Sequence, residues 1–185
     1  GAFENQKRAY TRLSVIIPLT LVGMFILLYA TFGKFRQAGL VLSIVPLALF
    51  GGMLALNVRG MTLNVSSAVG FIAMFGLSIQ NGIIMVSQIN GLRIKGMELR
   101  KSVIEGALQR FRPILMTSVT TILGLFPASL ATGIGSDVQR PLATVIVYGL
   151  MFSTLVSMFL LPAFYYLVEN NVLNKKKNDE KEYTL

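Results

Sequence analysis

Residues 13–32 contain no charged side chain, and roughly 20 consecutive apolar residues is the length a helix needs to cross about 30 Å of hydrocarbon. That one run constrains the whole architecture, because a segment in lipid has no water to satisfy its backbone and must form its hydrogen bonds internally. Comparable runs recur at about 37–58, 62–89, 113–131 and 141–168. The composition agrees with a bilayer as solvent: 54% of residues are hydrophobic, 14% are charged and the mean hydropathy is +0.66. The sequence therefore predicts an all-α membrane protein with five transmembrane helices.

The runs differ in kind. The second holds Pro46 and the pair Gly51 and Gly52, which membrane helices tolerate because neighbouring helices re-satisfy the freed backbone groups. The third is uncharged yet carries Ser66, Gly70, Ser78, Gln80, Asn81 and Gly82. Small residues four apart, as in Ser66 with Gly70 and Ser78 with Gly82, permit close helix approach, while the two amides need partners inside a bundle. This helix is expected to be central.

Between the third and fourth runs lies a charged stretch, with Arg93, Lys95, Arg100, Lys101, Arg110 and Arg112 among Glu98 and Glu105. At helical period Ile104, Ala107, Leu108 and Phe111 share one face, so residues 97–111 read as an amphipathic helix lying in the cytoplasmic membrane interface. Pro113 is placed as the start of the fourth span. Residues 169–185 read as a solvated, unstructured tail, and residues 1–12 as a linker on the opposite side.

The alternating loops carry Lys and Arg unequally, twelve on one side and five on the other. The richer side is expected to be cytoplasmic, which puts the N-terminus outside and the C-terminus inside. With Gly1 first and no secretory signature, the chain reads as part of something longer. The basic residues cluster at the ends of apolar runs and not along one amphipathic face, so the net charge of +9 describes topology-setting loops and no nucleic-acid partner is expected.

The chemistry available is narrow. Without Cys or His the chain lacks a thiol nucleophile, an imidazole base and the usual soft-metal ligands, so no enzyme activity, resident metal or cofactor is expected. The nine Met residues are scattered over several spans and read as packing filler rather than a metal path. No Asp or Glu occurs from Asn5 to Met97, and none is expected near the bilayer centre. What remains at membrane depth is Gln80, Asn81, Thr117 and neighbouring hydroxyls, with Arg110 two helical turns before Thr117 on the same face.

Several stretches are more particular than composition alone. GAFENQKRA, VGFIAMFGLSIQNGIIMV, ALQRFRPILMTS and ATGIGSDVQRPLATV resemble the C-terminal membrane region of the resistance-nodulation-division efflux pumps, most of all their heavy-metal (cobalt-zinc-cadmium and copper-silver) branch. The resemblance implies half of the membrane domain, spans eight to twelve of twelve, in a proton-driven cation exporter of the bacterial inner membrane. It implies as partners the rest of the same pump (N-terminal half and periplasmic domains), a homotrimer, a periplasmic adaptor protein, an outer-membrane channel and the lipid bilayer. It further implies a proton relay. In the drug-exporting branch, acids on the fourth span pair with a Lys on the tenth and an Arg and a Thr on the eleventh; here Gln80 stands at the Lys position, Asn81 follows it, and Arg110 and Thr117 match the other two. A neutral amide is no counter-ion, so a relay through Gln80 must be balanced differently. The alternatives are a drug-exporting or lipid-handling relative and a structural membrane subunit without transport chemistry of its own.

Overall fold

The computed structural model describes residues 1–182. These form six helices and no strand: α1 (Ala2–Phe32), α2 (Phe35–Leu42), α3 (Ile44–Val58), α4 (Val65–Ile94), α5 (Leu99–Ser129) and α6 (Ser136–Glu182). Helices α2 and α3 follow one another across Ser43 and together make one span, so five segments are long and apolar enough to cross a membrane. The break at Ser43 has a local cause. Pro46 has no N–H for the carbonyl of Leu42, and its ring crowds that carbonyl.

Helix ends follow the chain's punctuation. Gly33 terminates α1 in the left-handed region at φ 65, and its N–H bonds the Tyr29 carbonyl at 2.7 Å. Asn64 opens α4 with a capping box in which the Ser67 N–H donates to Asn64 Oδ1 at 2.8 Å and the Asn64 N–H to Ser67 Oγ at 2.9 Å. Such a cap stabilises a helix start by about 1 kcal/mol.

As expected, α4 is central: it packs against each of the other five helices. Helix α6 forms the second axis, with α3, α4 and α5 along it, whereas among the described residues α1 touches only α2 and α4 and buries only Leu28. The close approaches are made at small residues. A Cβ on Gly70 would come within 2.9 Å of the Leu142 carbonyl on α6, and one on Gly106 within 3.3 Å of the Ile89 backbone on α4. Of the small pairs read from the sequence, Gly70 packs on α6, Gly82 lies against Ile44 and Val41, and Ser78 donates to Ser153.

Three outlines differ from the sequence reading. The amphipathic stretch 97–111 and the fourth span are one continuous helix, with Pro113 inside it rather than at a start. A proline interrupts one backbone bond, and the turns on either side are held by Gly106 against Ile89 and by buried Ile114. Residues 2–12 are helical and continuous with the first span. Beyond Glu169, α6 runs on to Glu182 instead of fraying, since extending an existing helix needs no new nucleation; residues 183–185 lie outside the described part.

Candidate functional site

Three groups of polar side chains join α4 to its neighbours. Midway along the bundle, Asn81 on α4 is 5% exposed, and its Nδ2 makes a long 3.5 Å contact with Ser118 Oγ on α5. Ser118 accepts from Thr154 Oγ1 of α6 at 2.8 Å. One turn away, Ser78 Oγ donates to Ser153 Oγ at 2.8 Å. All five side chains are buried, so in an apolar surrounding each hydroxyl and amide depends on the others for hydrogen bonds.

At the end of the bundle that holds the C-terminus of α4, a second network joins three helices. Gln37 and Asn90 exchange amide bonds at 3.0 and 2.7 Å. Tyr165 donates to Asn90 Oδ1 at 2.5 Å, and Arg93 Nη1 donates to the Tyr165 hydroxyl at 3.3 Å and to Glu169 Oε2 at 2.9 Å. Gln37, Tyr165 and Glu169 are almost wholly buried. The third group lies on the half-exposed flank of α4 and α5, where Arg110 Nε and Nη2 donate to Gln88 Oε1 at 3.1 and 2.8 Å, and Gln88 Nε2 donates to Gln109.

The four residues singled out in the sequence are therefore divided. Asn81 is buried in the central cluster. Arg110 is half-buried and held by Gln88, with no hydrogen bond to Thr117. Gln80 is exposed, and Thr117 is exposed with its hydroxyl donating back to the Pro113 carbonyl at 2.9 Å. In the sequence reading Ser118 is only one of several hydroxyls at membrane depth, and Thr154 and the network around Arg93 and Glu169 are not reached. A hydroxyl-rich run such as Thr117–Thr121 gives no sign of which member turns inward, and the Arg93 network depends on residues 53 to 76 positions apart.

The exposed members share a pattern. On α4, Ala73, Gly76, Gln80 and Ser87 fall on one outward face; on α5, Pro113, Thr117, Thr120, Gly124 and Pro127 fall on another. Faces of mostly small and polar residues on two packed helices are suited to protein, because lipid cannot satisfy an amide or hydroxyl.

Comparison with known proteins agrees with the fold. Residues 1–169 match the model of a family described as AcrB/AcrD/AcrF. Over 182 residues the chain is 46% identical to protein HelA of Legionella pneumophila, covering 98% of this chain and 17% of that protein. It is 45% identical over 167 residues to the cobalt-zinc-cadmium resistance protein CzcA of Cupriavidus metallidurans, covering 90% and 16% respectively. Its fold superposes on the crystal structure of a heavy metal efflux pump with a TM-score of 0.82 at 54% identity, over 92% of this chain and 17% of that one. The chain thus spans about one sixth of the length of the relatives it matches.

Proposed function

Because this chain belongs to the AcrB/AcrD/AcrF family, in its heavy-metal efflux branch, we propose that it supplies the last five membrane spans of an inner-membrane cation exporter driven by proton antiport. In this reading the N-terminus is periplasmic, the C-terminus is cytoplasmic, and the working unit is a homotrimer joined to a periplasmic adaptor and an outer-membrane channel. Divalent heavy-metal cations are the substrate class, by similarity to the resistance protein CzcA.

The observation that carries the reading is the pair of outward faces holding Gln80 and Thr117 beside the buried Asn81 cluster. A carboxylate from the other half of the pump, seated on those faces, would accept from the Gln80 amide and the Thr117 hydroxyl when ionised and donate when protonated. Each state would favour a different arrangement there. Asn81, through Ser118 and Thr154, would pass that difference to the packing of α4, α5 and α6. Gln80 contributes dipole and not charge, so the balancing cation in this scheme is Arg110, poised at the edge of the same seam by Gln88.

The test is coupled flux by the full-length pump in proteoliposomes. Zn²⁺ or Co²⁺ uptake should require an imposed pH gradient and vanish when a protonophore dissipates it. Uptake that is indifferent to the gradient overturns the antiport reading.

A further inference from the structure

The bundle has another kind of outward face. On α3, Phe50, Leu54 and Val58 are 59%, 49% and 79% exposed, and on α6, Met151, Leu155 and Phe159 are 48%, 57% and 65% exposed. Hydrocarbon is the favourable neighbour for such bulky apolar side chains, unlike the small and polar faces of α4 and α5. Between α3 and α6 the apolar face dips into a groove of about 390 Å³ lined by Leu54, Val58, Met151 and Leu155, with Tyr148 and Arg59 also on its wall.

Arg59 is the residue that closes α3, at the level where an apolar span meets headgroups. Its Nη1 is fixed by the Ser129 carbonyl at 2.7 Å and Thr144 Oγ1 at 3.0 Å, while its Nε and Nη2 have no protein acceptor and no carboxylate pairs with it among the described residues. One turn before Thr144, Arg140, which does not line the groove, has a buried Nε without a partner among the described residues. An under-satisfied guanidinium on the wall of an apolar groove matches an amphiphile with a negatively charged head, since a guanidinium fork suits phosphate oxygens.

We propose that this groove is a binding site for an anionic phospholipid, one acyl chain lying between α3 and α6 and the phosphate bonded to Arg59. A zwitterionic lipid fills the groove less well, because its ammonium brings a positive charge toward Arg59.

The full-length pump is reconstituted in phosphatidylethanolamine vesicles containing traces of photoreactive phosphatidylglycerol or phosphatidylcholine, and the labelled peptides are mapped. Residues 51–59 and 148–155 should be labelled about fivefold more by the anionic probe, the scale set by one basic residue near a charged membrane surface. Arg59→Ala should bring the ratio to about one, Arg59→Lys should retain most of it, and Ala55→Trp, which fills the groove, should lower labelling by both probes. Should Arg59→Ala fail to elute as intact pump, the Arg59→Lys and Ala55→Trp comparisons decide. An unchanged ratio in Arg59→Ala, or labelling undiminished by Ala55→Trp, overturns the site. So does a groove in the native pump that neither probe labels, which would mean that protein covers it.

Discussion

Arg93 and Glu169 form an ion pair at 2.9 Å between α4 and α6, with the Glu169 side chain 4% exposed and the Arg93 side chain 24% exposed. Among the described residues Glu169 Oε1 has no further partner, so the carboxylate depends on Arg93 for most of its compensation. Removing one member of a buried pair leaves an uncompensated charge, costing about 3–5 kcal/mol when burial is complete; partial exposure of Arg93 reduces this to roughly 2–3 kcal/mol. Arg93→Met should therefore lower the thermal stability of the full-length pump more than the double substitution Arg93→Met, Glu169→Leu, which removes both charges. A double-mutant cycle read by detergent-phase thermal unfolding checks this, and additive effects would show that the pair is not coupled.

Helix contact at Gly106 makes a second measurable claim. A side chain there meets the Ile89 backbone, which cannot move aside as a flexible side chain can, and overpacking of this sort costs about 1–3 kcal/mol. Gly106→Val should reduce the yield of intact pump in size-exclusion chromatography. Gly39→Ala, on α2 with nothing within 4 Å, should leave it unchanged or slightly raise it, as expected when helix propensity improves without a clash.

The number and order of the spans were legible in the sequence because lipid imposes length and apolarity locally, residue by residue. The interior was less so. Gln37 and Asn90 meet only because α2 folds back on α4, and Tyr165 reads as one more apolar residue within LLPAFYYL until the fold places its hydroxyl beside Asn90. Thr117 and Ser118 are chemically alike and adjacent, yet one faces outward and the other is 2% exposed. That distinction is set by the rotation of α5 against α6, for which a run of hydroxyl residues carries no signal. Pro113 misled for a related reason: proline favours a helix start on average, but packing at Gly106 and Ile114 overrides that preference.

Orientation in the membrane is proposed from the uneven distribution of Lys and Arg, and labelling tests it directly. Arg59 closes α3, while Lys101 lies in the first turn of α5, with α4 crossing between them. In a Cys-less full-length pump, Arg59→Cys should react with a membrane-impermeant maleimide from the periplasmic side and Lys101→Cys only after permeabilisation. Equal reactivity of both from one side would overturn the topology.

The relay reading has its cleanest test at Thr117. Its hydroxyl is satisfied by the Pro113 carbonyl at 2.9 Å, so within this chain Thr117→Val removes a bond that helix geometry does not need, and isosteric replacement on an outward face costs little stability. The hydroxyl gains a further role only if the other half of the pump presents a group to it. Thr121 provides the control: it donates to the Thr117 carbonyl at 2.9 Å in the same back-bonded way, but it lies one turn further along and is partly covered. In the full-length pump, Thr117→Val should lower metal resistance by about tenfold or more, the loss expected when a proton-transfer partner is removed, with protein level and assembly unchanged, whereas Thr121→Val should be milder. Arg110→Ala should also weaken export, although loss of its bonds to Gln88 perturbs the α4–α5 contact as well, which makes it the less specific probe. Normal metal export by Thr117→Val would mean that the polar faces of α4 and α5 serve packing between the two halves and take no part in proton coupling.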